Sequence, residues 1–201
     1  MDKIQSYHHG NLRNELIEKA IDIVNNEGEQ ALSIRKVAGA CGVTYAAPYA
    51  HFKNKEDLLT AIQEHITEQF ATLLENTLFE YKKSKELLLY LGNTYVNFFL
   101  DNPNYFSFLY SQSHYPIVLS PKNGEPLFKP YEIFKRALSD YLDKISCPKE
   151  KYNDIALALL SQVHGIAGLA TMKNIQYSEN WRNKVLDILR ICTCSYLEGA
   201  K

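Results

Sequence analysis

The sequence predicts an all-α protein of about nine helices, and three observations support this fold class. Over most of the 201 residues, apolar side chains recur every three or four positions, as they do on a helix with one buried face. No segment shows the strict alternation of apolar and polar residues that is typical of a half-buried strand. Gly28, Gly42 and the prolines at positions 103 and 148 separate the periodic segments, and helices commonly begin or end at such residues.

Four of these helices are predicted in the first third of the chain. The first presents one apolar face and is closed by Gly28. The second begins after Ser33, a favourable N-cap, and ends where Gly42 interrupts it. Thr44 can cap a short third helix, and Asn54 opens a fourth whose apolar stripe continues for about five turns.

Five further helices are predicted over residues 87–101, 103–109, 131–145, 148–172 and 179–197. The segment from Ser111 to Pro130 holds four of the seven prolines, so we expect it to be mostly non-helical. A loop of this length in a compact domain is usually functional or disordered, and this one is a candidate lid.

Composition and motifs limit the class of protein. Lys and Arg number 22 against 23 Asp and Glu, so any nucleic-acid surface must be local rather than spread over the chain. The N-terminus lacks the apolar core of a secretory signal, and uninterrupted apolar runs are far shorter than the ~18–20 residues of a spanning helix. The four cysteines lack zinc-site spacing, and no catalytic signature is found. We therefore expect a cytoplasmic protein without membrane contact, metal, cofactor or enzymatic activity.

The second and third helices, joined at Gly42, have the lengths of a helix-turn-helix. In such a motif the second helix enters the DNA major groove with its N-terminal residues leading. Pro48 is tolerated near a helix start, where amides have no intrahelical partner, and with Tyr45 as the cap it is the third residue. Because a residue before proline avoids α geometry, Ala47 predicts a tight or irregular first turn.

The side chains around Pro48 suit a DNA groove. Two are small enough to touch thymine methyl groups, and four carry hydroxyl, imidazole or ammonium groups that can reach phosphates. The small residues are Ala46 and Ala47, and the polar ones are Tyr45, Tyr49, His51 and Lys55. No acidic residue lies between positions 30 and 55, whereas four basic residues do. The alternative is that Tyr49 belongs to the core and His51 is an ordinary surface histidine.

The segment from Leu16 to Leu59 resembles the DNA-binding domain of the TetR family of bacterial transcriptional regulators. The resemblance rests on LIEKAIDIVNNEG, LSIRKVAGACGVT and YAHFKNKEDLL. YHHGNLR and the VHG at 163–165 resemble the subfamily with a WHG-type ligand-binding domain, although Leu160 takes the place of its tryptophan. The resemblance implies a helix-turn-helix DNA-binding domain over residues 1–56 and a helical ligand-binding and dimerisation domain over residues 57–201.

The resemblance also implies site residues. DNA contacts are expected from Ser33, Arg35, Thr44, Tyr45, Ala46, Tyr49, His51 and Lys55. Of these, Arg35 is the candidate for a bidentate guanine contact, and the alternative is a salt bridge to a nearby carboxylate.

The later helices imply a dimer interface and a ligand site. A stripe of small residues and the final helix form the expected dimer interface, although the same residues could pack within one chain. These residues are Ala158, Ser161, Gly165, Gly168, Val185, Ile188, Leu189 and Cys192. An aromatic-rich region with two histidines is the expected ligand site, although aromatic stripes at helical spacing also serve as packing. These residues are Tyr95, Phe98, Phe99, Phe106, Tyr110, His114 and His164.

The function implied is that of a ligand-responsive transcriptional regulator. A homodimer is expected to bind a near-palindromic operator in double-stranded DNA and to repress transcription. A small amphipathic or aromatic effector, which the sequence does not identify, is expected to favour a second state and release the DNA. The alternatives are a redox-responsive regulator that uses its cysteines on the same scaffold, and a partner-binding protein that has lost DNA contact.

Overall fold

The computed structural model describes residues 12–111, 116–120 and 126–198, with the backbone only at 111 and 192–198. Within these ranges the chain forms eight α-helices and three short 3-10 helices and no strand, which confirms the predicted all-α class. The α-helices are α1 (Leu12–Glu27), α2 (Ile34–Ala40), α3 (Lys55–Glu80), α4 (Leu87–Asp101), α5 (Pro103–Ser111), α6 (Lys129–Lys144), α7 (Tyr152–Thr171) and α8 (Trp181–Glu198). The 3-10 helices are Glu29–Ala31, Ala47–Ala50 and Lys149–Lys151.

The third predicted helix differs in kind from the others. It is a turn followed by the 3-10 helix Ala47–Ala50, so the α-helices number eight over the described ranges rather than about nine. The cap is Ala46 rather than Tyr45, and Pro48 is therefore the second helical residue rather than the third. The proline accounts for this, because it lacks an amide hydrogen and disfavours α geometry at the residue before it. The expected irregularity extends over the whole segment.

Contacts divide the described residues into two compact units. The first comprises residues 12–66 with 107–111, and the second comprises residues 67–106, 116–120 and 126–198. The boundary between Ile66 and Thr67 falls inside α3, which is a single helix of 26 residues.

In the first unit, the apolar faces of α1 and α2 and the start of α3 form the core. Its fully buried side chains include Leu16, Ile17, Ile21, Val37, Phe52, Leu58 and Ile62. Each large apolar side chain removed from water contributes roughly 1.5–3 kcal/mol. Ser33 caps α2, because its Oγ accepts a hydrogen bond from the amide of Lys36 at 3.2 Å.

In the second unit, α4 lies against α6, α7 and α8. Gly92 allows the close approach of these helices. A Cβ at this position would lie 3.1 Å from Cδ1 of Leu189 and 3.2 Å from Cγ1 of Val163. The absence of a side chain at Gly92 therefore positions α7 and α8 on the aromatic face of α4.

One helical segment bears on the sequence-based prediction about membrane spans. Residues Lys149–Thr171 are long and apolar enough to cross a membrane, by length and composition only. The prediction considered only uninterrupted apolar runs, whereas this segment is apolar when its composition is averaged over the length of a helix. Length and composition alone are weak evidence for a membrane-spanning helix.

Candidate nucleic-acid interface and effector site

Gly42 turns the chain from α2 toward the predicted DNA-contact segment. Its φ of 66° lies in the left-handed region that glycine adopts without steric cost. The amide of Gly42 donates to the carbonyl of Gly39 at 3.1 Å, and the amide of Val43 donates to the carbonyl of Ala38 at 3.0 Å. These two bonds form a Schellman motif, which satisfies the last carbonyls of α2 and fixes the direction of the following residues.

Residues 44–52, which we call the reading turn, are held by their backbone and by two of their own side chains, which are buried. The amide of Ala47 donates to the carbonyl of Thr44 at 3.0 Å, and the amide of Phe52 donates to the carbonyl of Pro48 at 2.9 Å. The side chains of Pro48 and Phe52 point into the core, and Phe52 is only 2% exposed. Their burial anchors the reading turn to the first unit.

The reading turn presents most of its other side chains to solvent. Tyr45 is 59% exposed and Tyr49 is 55% exposed, which excludes the alternative that Tyr49 belongs to the core. Among the predicted DNA contacts, Ser33, Arg35, Thr44, Tyr45, Ala46, Tyr49 and His51 are exposed, whereas Ala47 and Lys55 are half-buried. The fold thus brings residues of α2 and of the reading turn to the surface of one unit.

Arg35 has an aromatic partner instead of the acidic partner considered from the sequence. Its guanidinium carbon lies 5.3 Å from the centre of the Tyr45 ring. No carboxylate of the described residues forms an ion pair with Arg35. The guanidinium therefore keeps its hydrogen-bond donors available.

Two of the four basic residues between positions 30 and 55 are already paired within the first unit. Lys36 forms an ion pair with Glu27. The ammonium of Lys55 donates to the backbone carbonyl of Glu29 at 2.7 Å and lies 3.9 Å from its carboxylate. Lys55 was predicted from the sequence as a phosphate contact, and the structure gives it this internal role. Arg35 and Lys53 are the basic residues of positions 30–55 that form no ion pair with a carboxylate of the described residues, so they carry the net positive charge of this segment.

The start of α3 is fixed by reciprocal capping. Oδ1 of Asn54 accepts a hydrogen bond from the amide of Asp57 at 2.8 Å, and Oδ2 of Asp57 accepts one from the amide of Lys53 at 2.8 Å. These bonds resemble a capping box and hold the backbone of Lys53 directly after the reading turn.

Arg13 is a basic residue at this surface that the sequence analysis did not single out. It is exposed in the first turn of α1, and its guanidinium carbon lies 5.7 Å from the centre of the Phe52 ring. Residues 39 positions apart come together here only through tertiary packing, so no local spacing could have indicated the contact.

In the second unit, aromatic side chains from α3, α4, α5 and α7 meet in one cluster. We call this the aromatic cluster, and it consists of Phe70, Tyr95, Phe98, Phe99, Tyr105, Phe106 and His164. The rings of Phe70 and Phe98 are stacked at 4.8 Å, and Phe106 lies 5.0 Å from the ring of His164. Phe70 was predicted as part of an apolar stripe and not as part of this site.

Tyr95 and His164 form a polar pair within the aromatic cluster. The hydroxyl of Tyr95 lies 3.1 Å from Nδ1 of His164. Burial lowers the pKa of His164, because the charged imidazolium loses hydration inside the cluster. A neutral imidazole can accept the hydrogen bond of the tyrosine hydroxyl.

Two other predicted ligand residues are placed differently. Tyr110 is half-buried in the part of α5 that groups with the first unit. His114 lies outside the described residues.

The predicted dimer residues fall into two groups. Ser161 and Gly165 are exposed and Ala158 and Ile188 are half-buried, whereas Gly168, Val185 and Leu189 are buried inside the second unit. A Cβ at Gly168 would lie 3.5 Å from the Phe106 ring, and Leu189 lies against Gly92, which explains this burial. These three residues therefore contribute to the interior of one chain, and the side chain of Cys192 lies outside the described residues.

Two exposed apolar residues lie in line with the exposed residues that were predicted for the dimer interface. Leu157 is 43% exposed and Leu169 is 47% exposed, and with Ser161 and Gly165 they recur every four residues along α7. We call these four residues the α7 stripe. Met172, at the end of α7, and Ile191, on α8, are 52% and 72% exposed.

Cys41 favours the thiol over the thiolate. Burial first, and the charge of Glu15 second, raise the pKa of the Cys41 thiol, whose Sγ lies 3.7 Å from the carbonyl of Glu15. Cys147 is buried. Because the thiolate is the reactive form, the redox alternative now depends on Cys192 and Cys194, whose side chains are not described.

Two family models match the chain. The model of bacterial regulatory proteins of the tetR family matches residues 16–62, which include most of α1, all of α2 and the reading turn. The model of the tetracyclin repressor-like C-terminal domain matches residues 88–185, which include the aromatic cluster except Phe70.

Two curated relatives are similar over part of their length. The fatty acid metabolism regulator protein of Bacillus subtilis (strain 168) is 30% identical over 74 residues, which are 37% of this chain and 38% of the relative. The tetracycline repressor protein class A from transposon 1721 of Escherichia coli is 43% identical over 51 residues, which are 25% of this chain and 24% of the relative. The matches thus span well under half of each relative.

Solved structures share the fold over nearly the whole chain. A protein of unknown function from Rhodococcus sp. RHA1 has a TM-score of 0.74 at 24% identity, with 98% of this chain and 100% of that chain covered. A tetR-family regulatory protein from Rhodococcus RHA1 has a TM-score of 0.70 at 18% identity, with 94% and 96% covered. The regulator FadR from Bacillus subtilis in complex with stearoyl-CoA has a TM-score of 0.65 at 15% identity, with 89% and 96% covered.

The family predicted from the sequence is confirmed, whereas the WHG-type subfamily stays a prediction. The two family models match in the expected order and cover most of the chain between them. The all-α architecture with a helix-turn-helix near its N-terminus is the fold of the solved family structures. The chain therefore belongs to the TetR family of bacterial regulatory proteins.

Proposed function

We propose that this chain is an effector-responsive transcriptional repressor that binds operator DNA as a homodimer. The carrying observation is the reading turn, whose buried Pro48 and Phe52 hold Tyr45, Ala46 and Tyr49 outward. A surface of this shape, with small and hydroxyl side chains at its tip, fits the major groove. In this proposal residues 1–56 bind DNA, residues 57–201 bind effector and partner, and the protein acts in the cytoplasm.

Within the interface, residue types suggest different roles. Arg35 has the geometry for a bidentate contact to a guanine edge, and Ala46 and Ala47 can approach thymine methyl groups. Ser33, Thr44, Tyr45, Tyr49 and His51 are proposed to contact phosphates, with Lys53 and Arg13 as additional cations. Lys55 is proposed to support the turn from inside, through its bond to Glu29.

The homodimer follows from the size of the reading turn and from the exposure of α7. One reading turn covers too few base pairs for useful specificity, and two of them about 34 Å apart would read two half-sites. The α7 stripe offers a partner Leu157 and Leu169 separated by the small residues Ser161 and Gly165. Small residues allow two helices to approach closely, and apolar residues favour their burial. We therefore propose that a second copy of the chain, and not a membrane, buries the exposed side of α7.

The effector is proposed to bind at the aromatic cluster. Phe98, Phe99 and Phe106 provide apolar surface, and the pair of Tyr95 and His164 provides a polar anchor within it. This combination suits an amphipathic or aromatic molecule. The names of two similar proteins, a fatty acid metabolism regulator and FadR bound to stearoyl-CoA, make a long-chain acyl-CoA the first candidate.

The proposed mechanism is a shift between two states. The rings of the aromatic cluster contact one another, so an effector must displace some of them and will favour a second arrangement of the helices. A ligand shifts such an equilibrium only by its difference in affinity for the two states. The state that binds the effector more tightly is proposed to be the one that binds the operator less tightly.

Binding to the intergenic DNA upstream of the gene tests this function. Purified protein is titrated into labelled duplex at several salt concentrations, and the logarithm of the association constant should fall linearly with the logarithm of salt. Tyr49→Phe should weaken binding to all sequences alike. Stearoyl-CoA should release the DNA, whereas free coenzyme A and stearate serve as controls for its two parts. Absence of salt-sensitive binding to any upstream fragment would overturn the proposal.

A further inference from the structure

The contact between Arg35 and Tyr45 joins the two parts of the proposed DNA interface. Arg35 is the second residue of α2, two positions after the cap Ser33, and Tyr45 lies in the reading turn. The guanidinium carbon is 5.3 Å from the ring centre, within the range of a cation–π interaction. Both side chains are exposed, so this contact is made at the surface and not imposed by core packing.

We propose that Tyr45 is a positioning residue that orients Arg35 for base recognition, an inference that rests on the proposed DNA-binding function. A long exposed arginine side chain occupies many rotamers, and ordering it on a base edge costs conformational entropy. The ring of Tyr45 restricts the guanidinium before DNA arrives, so less freedom is lost on binding. The planar guanidinium suits both the ring face and the two acceptors of guanine.

The two ends of the tyrosine side chain have separable roles. The ring face contacts Arg35, whereas the hydroxyl extends from the far end of the ring and is free to reach a phosphate. Tyr45 is 59% exposed, so its substitution should leave the core intact. Phenylalanine keeps the ring and removes the hydroxyl, and alanine removes both, so the two variants separate orientation of Arg35 from phosphate contact.

The fixed backbone makes this orientation effective. The Schellman bonds of Gly42 and Val43 hold the end of α2, and the bond between Ala47 and Thr44 holds the reading turn. Tyr45 lies between these two fixed points. A ring carried by a mobile loop would restrict the guanidinium much less.

The experiment compares base preference across four variants of the full-length protein. Affinities for the operator and for every single-base substitution of one half-site are measured by competition with labelled duplex. Arg35→Ala first identifies the position at which preference is lost. Tyr45→Ala should reduce preference at that same position about two- to fivefold, the range expected for an exposed cation–π contact. Tyr45→Phe should retain it. In the Arg35→Ala background, Tyr45→Ala should cause no further loss there.

Each other outcome overturns a defined statement. If Tyr45→Ala weakens binding uniformly and keeps the preference, Tyr45 is only a phosphate contact and the inference fails. If Arg35→Ala changes no single position, the assignment of Arg35 fails and the inference fails with it. If the wild-type protein binds no upstream duplex, the proposed function itself fails. Thermal unfolding of each variant checks that the fold is retained.

Discussion

The hydroxyl of Tyr95 and Nδ1 of His164, 3.1 Å apart, form a polar contact inside the aromatic cluster, and this contact joins α4 to α7. Burial lowers the pKa of His164, and the main cause is the loss of hydration of its charged form. The neutral imidazole accepts a hydrogen bond from the hydroxyl, whereas a protonated imidazole carries a proton on Nδ1 and cannot. The structure therefore favours the neutral histidine.

This preference makes stability depend on pH. The unfolded chain has the ordinary histidine pKa of 6.5 and binds the proton first, so the free energy of unfolding should decrease as pH falls below that value. Denaturant unfolding at pH 7.5 and pH 5.5 measures the decrease. His164→Gln should show a smaller decrease than the wild type, and Tyr95→Phe, which keeps the imidazole buried, should retain most of it. Equal pH dependence in the wild type and in His164→Gln would contradict the assignment.

Lys55 and Lys53 should differ in what their removal changes. Lys55→Ala loses the bond from its ammonium to the Glu29 carbonyl, so the free energy of unfolding should fall by about 1 kcal/mol. Lys53 is exposed and forms no ion pair with the described residues, so Lys53→Ala should leave stability unchanged. Lys53→Ala should reduce the slope of the logarithm of the DNA association constant against the logarithm of salt by roughly the amount of one phosphate contact. A larger loss of salt dependence in Lys55→Ala than in Lys53→Ala would restore Lys55 as the phosphate contact.

Gly165 provides a test of the proposed dimer surface. In one chain nothing lies within 4 Å of a Cβ at this position, so Gly165→Leu should fold normally. In a dimer packed through the α7 stripe the added side chain should weaken association about fivefold or more, because overpacking costs about 1–3 kcal/mol. Sedimentation equilibrium measures the dissociation constant. Asn76→Leu, which introduces the same apolar side chain at an exposed position of α3, is the control and should not weaken the dimer. An unchanged dissociation constant in Gly165→Leu would place the interface elsewhere.

Gln162 should be a site where substitution stabilises the chain. Both polar atoms of its amide are buried without a hydrogen-bond partner among the described residues. A buried unsatisfied amide costs about 1–3 kcal/mol, and methionine is similar in length without this cost. Gln162→Met should therefore raise the free energy of unfolding by about 1 kcal/mol or more in denaturant titration. A loss of stability would show that the amide has a partner in the folded protein in solution.

The regular helices were predictable from the sequence because their signals are local. The apolar face of α1, the cap at Ser33 and the start of α5 at Pro103 each depend on residues within a few positions of one another. The reading turn was less predictable. Over so few residues, an α-helix and a 3-10 helix have similar spacings of apolar side chains, so the pattern does not distinguish them. Pro48 indicated irregularity, but how far the irregularity extends is decided by the burial of Pro48 and Phe52.

The site residues were predictable by position, whereas their partners were not. Resemblance located Arg35 and Tyr45, but the stacking of one on the other requires the turn between them to be known. The bond of Lys55 to Glu29 likewise joins residues that are 26 positions apart. Leu189 was predicted at a dimer surface, but an apolar residue on the last helix can equally be buried within one chain. The sequence does not distinguish these two locations. The nearby Gly92 on α4 decides for the interior.

The division of labour within the reading turn has a consequence for how such regulators diversify. Pro48 and Phe52 hold the turn in place, while the side chains at 45, 46, 49 and 51 are turned away from the interior. After a gene duplication, the outward set can mutate toward a new target sequence while the inward pair keeps the scaffold intact. The DNA sequence that such a regulator recognises can thus change while every intermediate variant keeps a stable fold.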